Sequence, residues 1–150
     1  MKAVLQRVRS AQVEVDGQQV SSVGPGFLIL LGVRRGDVEA DARSLALRCA
    51  NLRVFQDESG KMNRSLLEVK GSALVVSQFT LCADTNAGRR PSFSDAEEPE
   101  RARVLYEQFM QELSRAGVPS ASGLFGRHMI VTLENDGPVT LILSQGEDDD

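Results

Sequence analysis

Histidine is nearly absent from this chain: His128 is the only one among 150 residues. A Ser-His-Asp triad is therefore open only if that one imidazole serves it, and its strand-like surroundings read instead as those of a structural histidine. Cysteine is equally scarce. Cys49 and Cys82 stand 33 positions apart in a helix-like and a strand-like stretch, which is no disulfide framework and reads as two small buried hydrophobes. No Cys/His/Asp cluster has metal-ligand spacing, and neither G-x-x-x-x-G-K-[ST] nor G-x-G-x-x-G occurs. Chemistry is expected to proceed without a metal, without a cofactor and without an evident base. Long apolar runs are missing as well. The longest, Phe27 to Leu31, falls far short of the roughly 18 residues of a membrane span, and the N-terminus carries no signal-peptide core. A cytoplasmic protein without membrane contact is expected.

Positive charge is not in excess either. The net charge of −4 argues against a broad nucleic-acid footprint, because phosphate contacts supply most non-specific affinity. Four of the 21 acidic residues lie in the last four positions, Glu147 to Asp150, which leaves 17 acids against 17 lysines and arginines. Arg7, Arg9, Arg34, Arg35, Arg89 and Arg90 could form a local basic face or be ordinary solvated surface. A nucleic-acid partner would have to be gripped mainly at its end, by a pocket.

What is present is a strand-rich pattern of one-domain length. Val4 to Val15 alternates, Asp16-Gly17 is a turn, and Gln18 to Val23 is a short strand. Phe27 to Val33 reads as a fully buried strand. Asp37 is the expected N-cap of a helix whose stripe is Val38, Ala42, Leu45, Cys49 and Leu52. Arg53 to Gln56 follows as a short strand, then a turn over Asp57 to Lys61, while Ser65 to Val69 stays unassigned. Ser72 to Cys82 is read as one strong strand. A second helix is expected from Pro99 to about Ala116, with Ala102, Leu105, Phe109 and Leu113 inward and Gly117 as terminator.

The stretch from His128 to Leu143 holds two alternating runs around Asn135-Asp136-Gly137-Pro138-Val139-Thr140, which predicts a closing β-hairpin with an Asp-Gly turn. An X-Pro bond is the one peptide link whose cis form costs only about 0.5–1 kcal/mol. Gly137-Pro138 is therefore either a tight cis element presenting carbonyls to one side or a trans turn that starts an edge strand. The sum is an α/β fold: a single domain over residues 1–143 with about two helices, followed by an acidic tail, 144–150.

Three motifs occur in order: Ser77-Gln78-Phe79-Thr80, then Pro91-Ser92-Phe93, then Asn135-Asp136-Gly137-Pro138-Val139-Thr140. With Gln6-Arg7-Val8 near the start, they resemble the D-aminoacyl-tRNA deacylase family, and the resemblance runs from Met1 to about Leu143. It implies a curved, barrel-like mixed β-sheet and hydrolysis of the ester of D-aminoacyl-tRNA and of mischarged glycyl-tRNA, a chiral proofreading activity without metal or cofactor. It further implies a homodimer in which a cis Gly137-Pro138 enters the partner's site and rejects L-aminoacyl esters sterically. Arg7 would brace that element through main-chain carbonyls. The loop of Pro91, Ser92 and Phe93 would border the terminal adenosine, with Phe93 either a stacking surface or core packing.

An activated aminoacyl ester needs positioning and oxyanion stabilisation more than a strong base. Among Ser77, Gln78, Phe79 and Thr80, the main-chain amides of Phe79 and Thr80 are assigned to the ester carbonyl. Water assisted by the 2′-hydroxyl of the tRNA's terminal ribose is the attacker. Two rivals stand beside this reading: Thr80 as nucleophile of an esterase or amidase on D-amino acid derivatives, and a non-catalytic module that binds RNA ends.

Overall fold

The computed structural model describes residues 1–146. Along the chain come β1 (Lys2–Val15), β2 (Gln18–Val23), β3 (Gly26–Gly32), α1 (Glu39–Asn51), β4 (Phe55–Gln56) and β5 (Met62–Arg64). They are followed by β6 (Ser72–Ser77), a 3₁₀ turn (Phe79–Cys82), α2 (Pro99–Ala116), β7 (Ser120–Ser122) and β8 (Ile130–Ser144). Long β1 is the spine. It pairs antiparallel with β2, β3 and β8, and the sheet continues from β3 through parallel pairings to β6 and β7. The far side of β2 comes back against β6 and β7, so the mixed sheet curls into a nearly closed barrel. The expected architecture holds. No described helix is long and apolar enough to cross a membrane.

One strand serves two cores because its phase shifts midway. Ala3 and Leu5 face the helices with Phe27, Ile29 and Leu31, whereas Val8, Ala11, Val13 and Val15 face the barrel interior with Leu28, Leu74 and Val76. The change of parity between these sets coincides with register shifts against β8 around Val8, the effect a bulge has on strand alternation. Helix α2 behaves as its sequence predicts. Pro99 opens it, Leu105, Phe109 and Leu113 are fully buried, and Gly117 closes it in the left-handed region with its amide donating to Leu113 and Ser114.

Three sequence expectations fail for tertiary reasons. Asp37 does not cap α1. Its carboxylate is occupied by the Met1 ammonium at 2.7 Å and the Arg34 amide at 2.6 Å, and the helix starts after Val38, whose amide donates to Asp41 at 2.9 Å. The strand expected over Ser72 to Cys82 stops at Ser77. Gln78 makes the last ladder contact, donating its amide to Leu31 at 2.8 Å, and the chain then tightens into the 3₁₀ turn. Gly32 permits this, since a Cβ there would lie 3.0 Å from Leu81 Cβ and 3.1 Å from the Gln78 carbonyl.

The third correction concerns the closing hairpin, which is a single strand. Both halves of β8 pair end to end with the same β1, from Glu14↔Ile130 to Lys2↔Ser144. Between Val8↔Asn135 and Gln6↔Thr140, one β1 residue faces four residues of β8, Asp136 to Val139, so the predicted turn is a wide bulge. The strand also runs one residue past the expected boundary at Leu143, and the Gln145 amide donates to the Met1 carbonyl at 2.9 Å. Glu147 to Asp150 of the expected tail lie outside the described residues.

Candidate functional site

The end of β6 opens onto a cavity of about 690 Å³. Ser77, Gln78 and Phe79 line one wall, Phe93 another, and Phe125, His128 and Met129 come from the segment before β8. Two sequence motifs therefore meet. Phe79 and Phe93 pack edge to face with centroids 5.1 Å apart, and both stay open to solvent, at 55% and 39% exposure. Phe93 is thus a wall of the cavity rather than core. Its neighbours shape the loop: Ser92 exchanges two 2.8 Å backbone hydrogen bonds with Asp84, while Pro91 is exposed, and neither lines the cavity.

The amides of Phe79 and Thr80 open the 3₁₀ turn, where no carbonyl of the turn can receive them, and among the described residues they donate to no backbone acceptor. The Thr80 hydroxyl is held by the Gln78 carboxamide. A carboxamide is no base, and among the described residues Thr80 contacts no His, Asp or Glu side chain. The two thiols are equally unsuited to attack. Burial pushes Cys49 up to about 12, the nearby Arg48 opposing it, and burial also raises Cys82, whose Sγ rests on the Val33 carbonyl. Tyr106, likewise pushed up to about 12 by burial, donates to the Val75 carbonyl at 2.7 Å and holds β6 from behind the site. Among the described residues no three His, Cys, Asp or Glu side chains converge on a metal position.

The Gly137-Pro138 bond is cis, and residues 134–138 are exposed. The bulge that carries it is heavily braced. Asn135 receives the Val139 amide at 3.0 Å and donates to the Val139 carbonyl at 3.1 Å, closing a ring across the bulge. Gln6 accepts from both Asn135 and Thr140. Arg7, only 6% exposed, donates to the Asp136 carbonyl at 2.8 Å and to the Val54 carbonyl at 2.6 Å, tying the bulge to β4. The predicted contact of Arg7 with main-chain carbonyls of this motif is present.

Within one chain the two motifs do not converge. The bulge lies opposite Arg7, which pairs with Phe27, which pairs with Ala73, four residues before Ser77. Three strand spacings across and four residues along separate them, on the order of 20 Å. His128 also differs from its sequence reading. It is exposed, precedes rather than enters β8, and faces the cavity. The lining contributed by Phe125 and Met129 had no sequence signal beyond the Gly123 and Gly126 turn that carries it.

The same architecture is found in two solved structures. One, titled "c-Myc DNA Unwinding Element Binding Protein", is 39% identical, with a TM-score of 0.93 over 98% of this chain and 100% of that one. The other, a probable eukaryotic D-amino acid tRNA deacylase, is 17% identical with a TM-score of 0.82 over 95% and 97%, a likeness of fold. The sequence defines the group more closely. The D-aminoacyl-tRNA deacylase of Thermomicrobium roseum is 58% identical over 98% of this chain and 96% of its own, and that of Aquifex aeolicus 50% over 98% and 99%. Residues 4–144 match the model of the D-Tyr-tRNA(Tyr) deacylase family, and the chain belongs to that family.

Proposed function

We propose that this protein hydrolyses the ester linking a D-amino acid, or glycine, to the terminal ribose of tRNA, releasing free amino acid and tRNA. The observation that carries this reading is the pair of unengaged amides at Phe79 and Thr80 on the wall of an aromatic cavity. Water adds to the ester carbonyl with the ribose 2′-hydroxyl assisting proton removal. The oxyanion accepts hydrogen bonds from the two amides, then collapses and expels the ribose oxygen, which takes up a proton. The Phe93 edge of the cavity suits the terminal adenosine. A Thr80 nucleophile is disfavoured because its hydroxyl has a carboxamide, not a base, for a partner.

Chiral selection is assigned to Gly137-Pro138 acting across a twofold dimer. The bulge is exposed, braced by Arg7 and Asn135, and roughly 20 Å from Thr80 in its own chain. Reaching a cavity of this kind requires a second copy. There its carbonyls would fill the space into which an L side chain projects, while a D side chain points elsewhere and glycine has nothing to exclude. Purified protein is to be incubated with D-aminoacyl-, L-aminoacyl- and glycyl-tRNA and ester loss followed. D and glycyl esters are expected to be lost and L esters retained; binding of all three without ester loss would leave an RNA-end-binding module.

A further inference from the structure

The one histidine is unabsorbed by the mechanism above, and its position is unusual for a residue without a task. The cavity's apolar surface comes from Val76, Phe79, Phe93, Phe125 and Met129, and its charged groups sit around them. Arg35 is committed to the Ser94 carbonyl at 2.7 Å and Glu98 at 2.8 Å, and Arg127 to Asp16 at 2.7 Å. His128 is exposed, and among the described residues it makes no hydrogen bond, ion pair or ring contact. An unengaged imidazole N–H thus stands beside a cavity in which the other cationic groups are already paired. Glu97 and Glu98 on the same lining make it costly for a phosphate to lie just anywhere around the opening.

We propose that His128 donates a hydrogen bond to the phosphodiester 5′ of the terminal nucleotide, fixing the RNA end in the cavity. This rests on the reading of the cavity as a site for an aminoacylated RNA 3′ end. Chain connectivity supplies the argument: when the terminal adenosine and its aminoacyl group fill the interior, the next phosphate lies one ribose outward. Imidazole is a competent donor to such an oxygen, and contacts of this type set register rather than chemistry. His128 is therefore a positioning residue, not a base.

The test compares two substrates, D-aminoacyl-tRNA and 3′-O-(D-aminoacyl)adenosine, the second lacking the phosphodiester. His128→Ala is expected to raise KM for the tRNA roughly tenfold, the scale of one hydrogen bond to a charged group, with kcat unchanged and no effect on the adenosine ester. His128→Arg should restore KM. Equal losses on both substrates, a fall in kcat at constant KM, or no change on either would overturn the proposal. Binding of deacylated tRNA provides a second readout that does not need turnover: the same variant should weaken its Kd roughly tenfold, and an unchanged Kd would also sink the contact. Absence of hydrolysis by the wild type, with this binding difference intact, would refute the proposed function and not the contact.

Discussion

The strand end at Ser77 to Thr80 and the bulge at Asp136 to Val139 are built on opposite plans. The first leaves groups free: two amides without backbone acceptors, an aromatic pair half open to solvent and a cavity in front of them. The second leaves almost nothing free inside itself, with Asn135, Gln6 and Arg7 satisfying its polar atoms, yet its outer surface is bare. A region that must bind a changing charge needs donors in reserve, whereas one that must exclude a side chain needs rigidity. The two are complementary and sit far apart in one chain, which is the physical argument for assembly.

Breaking the first region should have the largest effect. Thr80→Pro removes one oxyanion donor and is expected to lower kcat about 10²–10³-fold, while Thr80→Ala keeps the amide and most of the rate. An inactive, folded Thr80→Ala protein would point to the hydroxyl instead. Gly137→Ala probes the second region. Its Cβ would lie 2.7 Å from Val139 Cγ2 and 3.2 Å from Val139 Cβ, so the bulge must shift, and the D to L rate ratio should fall about tenfold or more.

Mixing these two variants sharpens the comparison. A heterodimer formed by subunit exchange contains one site with an intact Thr80 amide and an intact partner Gly137. Selective activity should therefore recover to about a quarter of wild type at equal proportions. An arrangement within one chain would recover nothing.

Arg7→Ala should act more mildly on selectivity while costing about 1–3 kcal/mol of stability, because the Asp136 and Val54 carbonyls lose a charged donor. Its denaturant midpoint and D to L ratio should fall together, and loss of one alone would separate brace from bulge. The smallest effect is alkaline. Tyr106 and Cys49 have folded pKa values raised by burial to about 12 from 10.0 and 9.0. Raised values favour the folded state fully below the unfolded pKa, so stability should decline from about pH 9 towards pH 12. Tyr106→Phe should flatten part of that decline in thermal unfolding, and an identical curve would place the loss elsewhere.

Periodicity made much of this fold legible. The stripe Leu105, Phe109 and Leu113 with Pro99 and Gly117 at its ends defined α2, and the apolar run at Phe27 defined the central strand, because burial of a whole face imprints on local spacing. Motif residues 77–80, 93 and 137–138 were legible as chemistry. Their grouping was not, since spacing along a chain carries no distance across a sheet.

What the sequence by itself determined is the set of elements with self-contained patterns, the family and the identity of the two motifs. What only the tertiary structure decided is who pairs with whom. Alternation on both sides of Asp136-Gly137 is the same for a hairpin and for one bulged strand; the choice fell to β1, long enough at Lys2–Val15 to accept both halves in succession. Asp37 was drawn from capping by the Met1 ammonium 36 positions away. Side-chain alternation is local, but hydrogen-bond partners and the walls of a cavity are supplied from elsewhere in the chain, and that competition is settled only when the whole chain has folded.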